Sequence, residues 1–298
     1  MSPRWWCRLP VLALACGHLC CAGPAPDTIR IGSKNFTEQI ILGEILAQLI
    51  EDRTDLRVDR RFDLGGTFIC HKALLAGELD MYVEYTGTAL GAILQEPPST
   101  DAPEVYDRVK RLYTDRFDLT WLSPLGFNNT FALVVRPEDA ARYDLLRISD
   151  LARVRGTFRA GFGYEFIERA DGYPGLTATY GFQLRNAPRE MDLGLIYRAL
   201  EQKQVDVVAG NSTDAPIDTL GLVVLEDDKK FFPPYDAAPV VRASTLERHP
   251  RLGAVLELLA GKISERRMRR MNGAVTSGGR SAREVAARFL REQSLTGQ

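Results

Sequence analysis

LLAGELDMYVEYTG at 74–87 and LEQKQVDVVAGNST at 200–213 follow the same course. Each leaves what reads as a helix end, passes a polar turn and enters a β-rich run, with Asp80 and Asp206 at matching places. A chain that repeats this helix-to-strand passage in each half reads as two α/β units built on one plan. In open α/β sheets the ligand crevice lies just beyond the carboxyl ends of the strands. Five residues past each aspartate stand Tyr85 and Asn211, which become candidate pocket residues, one from each lobe.

Outward from these strings, β-rich runs alternate with helical periodicity, the order expected of parallel sheets with crossover helices. Strands are predicted at 28–32, 58–64, 79–83, 119–125 and 130–135, then at 158–161, around Gln183, and at 205–209, 222–225 and 239–242. Thr37 opens a helix in which Ile40, Ile41, Glu44, Ile45, Gln48 and Leu49 set up one apolar stripe with polar interruptions. Further helices are expected at 70–75, after Tyr164, and at 193–202, 252–260 and 282–292, while 95–107 reads as a polar connection. The strands near Val134 and Val240 are expected to be the two crossings between lobes and hence the hinge. Lobe 1 is therefore predicted at 27–134 plus 240–298, and lobe 2 at 135–239.

The bulk numbers suit two packed lobes: 298 residues, 45% hydrophobic and 26% charged. Lysine plus arginine number 38 against 39 acids, so no basic excess is available to neutralise a nucleic-acid backbone. Residues 1–22 have the charged, apolar, small-residue order of a secretion signal: Arg4 and Arg8, the run 9–16, then Ala22 and Gly23. Cys16, Cys20 and Cys21 lie at its end, which leaves open both plain cleavage near Ala22 and lipid attachment to a cysteine. Cleavage after Ala22 leaves Cys70 as the sole cysteine, excludes an intramolecular disulfide and moves the net charge from −1 to −3. The implied location is periplasmic or otherwise extracytoplasmic, with or without a lipid anchor.

Catalytic chemistry finds no foothold. Of the three histidines, His18 lies in the signal, His71 follows Cys70 and His249 precedes Pro250, which gives no metal-ligand spacing. Adjacent residues at a helix start point about 100° apart, so Cys70 and His71 are poorly placed to share a metal or form a nucleophile–base pair. Cys70 reads as core. No nucleophile elbow, P-loop or dinucleotide fingerprint is present, and neither a cofactor nor a metal is expected. The chain does carry aromatic and cationic residues at loop ends: Lys34, Tyr85, Phe131, Arg169 and Tyr235. A quaternary ammonium donates no hydrogen bonds and is held by aromatic faces, each contact contributing on the order of 1 to 2 kcal/mol when dry. Lysine and arginine suit a carboxylate at its other end.

The strings GSKNFTEQIILGEIL, LGGTFICHKALLAGELDMYVEYTGT, GFNNTFAL, DGYPGLTATYGF, the STD at Ser212 and DDKKFFPPYDAAPVVR resemble one family, in order and with similar spacing from Ile29 to Leu290. It comprises the substrate-binding proteins of osmoprotectant ABC transporters, the glycine betaine, carnitine and choline binders of the ProX and OpuC kind. The resemblance implies the type II periplasmic-binding-protein fold, a two-lobe α/β clamp around a ligand cleft. It implies a box of tyrosines around a trimethylammonium, with Tyr85 of YTGT and Tyr235 of FFPPY as members. Phe131 stands where the family's NNTY motif carries a tyrosine, and Asn129 supplies a nearby carbonyl. The carboxylate clamp is implied at Lys34, Thr88 and Arg169, and Gln39 of TEQ matches a position near the ligand. Asn211 of GNSTD departs from the family, where many relatives have a further box tyrosine. Loss of that wall has two readings: a simple betaine held more weakly by about 1 to 2 kcal/mol, or room for a bulkier one such as ergothioneine. Tyr164 is a possible replacement wall or an ordinary surface tyrosine.

The implied mechanism is closure of a monomer about its hinge, with separate permease and ATPase subunits as partners. A sensor that binds the same solute and reports to a receptor is the alternative the sequence does not exclude. An enzyme on this fold needs a titratable pair or metal constellation that the sequence does not offer.

Overall fold

The computed structural model describes residues 28–296, so the expected signal segment and its cysteines lie outside the described residues. Two five-stranded sheets divide the strands between two lobes. The first has the order β2-β1-β3-β10-β4, from β1 (Thr28–Gly32), β2 (Arg57–Arg61), β3 (Met81–Tyr85), β4 (Leu119–Trp121) and β10 (Ala237–Arg242). The second has the order β7-β6-β8-β5-β9, from β5 (Phe131–Val135), β6 (Ala160–Phe162), β7 (Arg189–Glu190), β8 (Val207–Asn211) and β9 (Val223–Val224). In each, three parallel strands are followed by an antiparallel fourth, so the two sheets share one plan.

Asp80 and Asp206 pin that plan in place. Asp80 accepts from the backbone N–H of Arg30 at 2.8 Å and from its Nε at 3.0 Å. Asp206 accepts from the backbone N–H of Arg159 at 3.0 Å and from its Nε at 2.8 Å. In both lobes an aspartate before the third strand thus clamps an arginine at the first, which accounts for the repeat in the sequence.

The lobe boundaries differ from those expected. Val134 pairs with Val208 and Val224 inside the second sheet, and Val240 pairs with Tyr82 and Trp121 inside the first. Strand interiors hydrogen-bonded on both sides cannot act as hinges. β5 therefore belongs wholly to lobe 2 and β10 wholly to lobe 1, and the chain crosses just before each. There Asn128 and Asp236 form an isolated antiparallel bridge, supported by the Asn129 N–H donating to the Tyr235 carbonyl at 3.0 Å.

Lobe 1 carries α1 (Thr37–Arg53), α2 (Thr67–Leu75), the single turn α3 (Thr86–Thr88) and α4 (Ala102–Phe117). Lobe 2 carries α5 (Pro137–Tyr143), α6 (Tyr164–Glu168), α7 (Tyr173–Tyr180), α8 (Ile196–Glu201) and α9 (Ala215–Thr219). After β10 come α10 (Ala243–Arg248), α11 (Pro250–Glu257), α12 (Glu265–Thr276) and α13 (Ala282–Glu292). Instead of one buried stripe, α1 buries nearly its whole circumference, including Glu38, Gln39 and Glu44, because α11, α12 and α13 pack on it as well as the sheet strands. α13 has a capping box, Ser281 with Glu284, and buries Val285, Ala286, Phe289 and Leu290.

The stretch 95–107, expected to be a polar connection, runs from residue 102 into α4, whose Val105, Val109 and Tyr113 lie one turn apart and are buried. Its start is marked by Asp101, which accepts from the Glu104 N–H, and its end by Asp118 in the left-handed region at φ 56°. The strand expected around Gln183 is a loop; the edge strand is β7 instead. Phe182 is buried there without a ladder, and single bonds tie Gln183 to Gly156 and Arg185 to Phe158.

Candidate functional site

A cavity of about 520 Å³ opens between the lobes, within the range of ligand pockets. Eight of the nine candidate residues line it: Lys34, Tyr85, Thr88, Asn129, Phe131, Arg169, Asn211 and Tyr235. They converge because strand ends and the crossings meet there. Tyr85 ends β3, Asn211 ends β8, Phe131 opens β5, and Asn129 and Tyr235 sit on the two crossing segments. Gln39 is not among the lining residues. It is buried behind the wall at 1% exposure, and both its amide atoms lack a hydrogen-bond partner.

The aromatic faces fall into two groups. Phe131 packs edge-on against Tyr235 at 5.6 Å and against Phe166 at 4.9 Å between ring centroids. Tyr85 stacks with Phe36 at 6.4 Å. Phe36 and Phe166 were missed in the sequence, although NFTEQ and YEFIE each bring an aromatic residue beside a predicted loop end. Tyr164 also lines the cavity and is 57% exposed, a rim residue and not a buried wall.

Both cations expected to clamp a carboxylate are already engaged. Lys34 Nζ donates to Glu84 Oε1 at 2.5 Å with both side chains buried, and lies 4.9 Å from the Tyr85 ring centroid. Arg169 pairs with Asp171, donates to Thr88 Oγ1 at 3.2 Å, and places its guanidinium 5.3 Å from the Phe131 ring centroid. Burial alone pulls the Arg169 guanidinium down, but Asp171 outweighs it and the net shift is upward. Asp171 also accepts from the Tyr235 hydroxyl at 2.8 Å. An ammonium has three donors and a guanidinium five, so each cation keeps donors for a further anion while its charge is largely offset. The acids Glu84 and Asp171 went unnoticed in the sequence, where nothing marked them apart from other surface-type charges.

Behind the wall, the Tyr85 hydroxyl and the Asn129 amide Nδ2 each donate to Glu38 Oε1 at 2.7 Å. Burial, and then the neighbouring Glu38, push the Tyr85 phenol up; burial and then Asp171 do the same for Tyr235. Both tyrosines therefore stay neutral and present uncharged faces. The rim adds apolar Phe68, Ile69, Met191 and Leu193 and acidic Glu165, Glu190 and Asp192. Asn211 is held at the end of β8, its N–H donating to Asp214 Oδ2 at 2.8 Å.

Cys70 is buried, and burial pushes its thiol up to about 12. Among the described residues, no group of His, Cys, Asp and Glu side chains is placed to hold a metal ion. Nor is any helix among them long and apolar enough to cross a membrane.

The chain is similar to known proteins in sequence and fold. Residues 27–292 match the family model described as the substrate-binding domain of an ABC-type glycine betaine transport system. The chain is 38% identical over 274 residues to the carnitine transport binding protein of Listeria monocytogenes, covering 91% of this chain and 89% of that one. It is 38% identical over 266 residues to the ergothioneine transport permease/ergothioneine binding protein of Helicobacter pylori, spanning 89% of this chain and 47% of that one. A solved glycine betaine/carnitine/choline ABC transporter structure superposes with a TM-score of 0.73 at 34% identity, covering 90% of this chain and 99% of that one. The chain belongs to the family of substrate-binding proteins of ABC-type glycine betaine transport systems.

Proposed function

We propose that this chain captures a small quaternary-ammonium solute outside the cytoplasm, closes its lobes around it and presents it to separate permease and ATPase subunits. The observation that carries this reading is the convergence of Tyr85, Phe131 and Tyr235 with Lys34, Thr88 and Arg169 on one cavity between the lobes. Aromatic faces suit a cation that cannot donate hydrogen bonds, and the remaining donors on Lys34 and Arg169 suit a carboxylate. The protein acts by binding and not by catalysis, and as a monomer. In this reading Gln39 supports the wall from behind and makes no solute contact.

A bulkier betaine is the second reading, favoured by Asn211 where a wall tyrosine is expected and by the apolar extension of the cavity toward Met191 and Leu193. The similarity to the ergothioneine binder of Helicobacter pylori points the same way. The test is calorimetric titration of protein freed of bound solute by unfolding and refolding, using glycine betaine, choline, carnitine and ergothioneine. Tight binding of one supports the reading and selects between its two forms. Silence from all four rejects it.

A further inference from the structure

Glu38, in the first turn of α1, is 1% exposed, and its carboxyl joins parts of the chain far apart in sequence. Besides Tyr85 and Asn129 on Oε1, Oε2 lies 2.6 Å from Thr213 Oγ1 and accepts from Asn272 Nδ2 at 3.2 Å. Tyr85 and Asn129 line the cavity, Thr213 follows β8 of lobe 2, and Asn272 lies on α12. The carboxyl therefore sits behind the solute wall at the seam between the lobes, and its hydrogen-bond partners are all uncharged.

Hydrogen counting constrains its state. Thr213 Oγ1 is 2.6 Å from Glu38 Oε2 and 2.9 Å from Asn129 Oδ1. Each oxygen pair at such a distance needs a hydrogen between its atoms, and the hydroxyl brings only one. Asn129 has turned its NH₂ toward Glu38 Oε1, so its Oδ1 can only accept. A proton on the carboxyl supplies the second hydrogen and lets both contacts be full hydrogen bonds.

We propose that Glu38 is a positioning residue that carries a proton in this arrangement of the lobes, donating through Oε2 to Thr213, which donates to Asn129, so that solute retention is linked to pH. The solute linkage rests on the reading of the cavity given above; the proton itself does not. Loss of the proton leaves the Thr213 hydroxyl to serve one oxygen and abandon the other, loosening the tie between the Asn129 wall and lobe 2.

The surroundings agree. Burial, the largest influence, pushes the Glu38 carboxyl up to about 7, against the opposing bonds from Thr213, Tyr85 and Asn272. Asp214, in the turn before α9, adds to the rise through its negative charge. Among the other charged groups nearby, Arg269 of α12 is turned to the Ser212 carbonyl at 2.9 Å and to Asp218, and Tyr85 of β3 faces Glu38 as a neutral phenol. The sign follows for an acid whose pKa is raised in the joined lobes and ordinary when they part. The advantage of the joined form is complete below the ordinary carboxylate pKa and is lost as pH rises through about 7. Between those limits, affinity changes by about tenfold per pH unit.

The experiment has two independent arms. In the first, infrared difference spectra at pH 6, wild type minus Glu38→Gln, on solute-free protein whose lobes are held in this arrangement by a bifunctional cross-linker, are expected to show a protonated-carboxyl band that disappears above pH 8. Its absence overturns the proposal whatever solute binds. In the second, the solute found by calorimetry is titrated from pH 5.5 to 8 in buffers of different ionisation enthalpy. Wild type is expected to take up close to one proton on binding at pH 6 and to bind on the order of tenfold more weakly at pH 7.5 than at pH 5.5. Glu38→Gln, whose amide still donates toward Thr213, is expected to bind with a flat pH profile near the wild type's acid-side affinity. Thr213→Val, which removes the middle of the relay while the carboxyl stays buried, should weaken binding at pH 5.5 and leave a pH dependence in place. A flat wild-type profile, or an unchanged pH dependence in Glu38→Gln, overturns the linkage. If none of the four solutes binds, the reading of the cavity fails while the infrared arm still decides the proton.

Discussion

Lys34 and Tyr235 face the same cavity, yet removing each does different damage. Lys34→Ala strands the Glu84 carboxylate, which is 0% exposed, and breaking one partner of a buried pair costs about 3–5 kcal/mol. Its expected signature is a lowered melting temperature, read by thermal unfolding without solute. Tyr235→Ala removes an aromatic face, and choline affinity is expected to drop by roughly 5- to 30-fold, the equivalent of about 1 to 2 kcal/mol. Choline lacks a carboxylate, so a choline loss in Lys34→Ala as large as that in Tyr235→Ala, after allowing for the unfolded fraction, contradicts these roles. Asn211→Tyr makes the complementary test. A restored wall is expected to tighten glycine betaine by about 1 to 2 kcal/mol and to weaken ergothioneine by crowding the extension, both measurable by calorimetry. A change of the same sign for both solutes rejects Asn211 as the residue that sets ligand size. At this scale the sequence offered the lining residues through their motifs. It did not show their partners, because Glu84 acquires meaning only when folding brings it to Lys34, and Asp171, two residues from Arg169, only when folding also brings Tyr235 to it.

Among the elements, the aspartate that opens the third strand of each lobe is the clearest case of a sequence feature with a structural cause. Burial tends to raise the Asp206 carboxyl, but the bonds from Arg159 and Arg136 hold it down to about 2. A lowered acid contributes stability above its ordinary pKa and loses it as pH falls through the lowered value. Asp206→Asn is therefore expected to melt lower than wild type at pH 6, with the gap closing toward pH 2, as followed by circular dichroism. A gap that stays constant with pH points to packing instead of charge. α4 shows the opposite side of legibility. Its one-turn spacing of Val105, Val109 and Tyr113 was present in the sequence, but the helix is otherwise so polar that its first turns were read as part of the connection 95–107 and the rest drew no assignment. β7, two exposed residues long, carries no hydrophobic signal and is defined only by its pairing with β6.

For the whole molecule, the bridge between Asn128 and Asp236 makes the two crossings a single narrow ribbon. Motion of the lobes has to pass through these few residues, since the strands on either side are locked into sheets. Addition of the bound solute is expected to lower the radius of gyration in small-angle scattering. Solute binding with no such change would mean that the lobes do not move on capture. Arg169 reaches from lobe 2 to Thr88 of lobe 1, and Asp171 of lobe 2 accepts from Tyr235 on the crossing, so the lobes already meet across the cavity.

The sequence by itself determined the two-lobe α/β plan, the repeat marked by Asp80 and Asp206, the family and eight residues of the cavity wall, because these depend on local order along the chain. Tertiary structure alone decided where the lobes cross, how the expected clamp cations are partnered and what Glu38 does. Most of these follow from contacts between residues 47 to 234 positions apart. No local pattern records which neutral or charged partner a buried carboxyl meets, and that meeting sets whether it holds a proton.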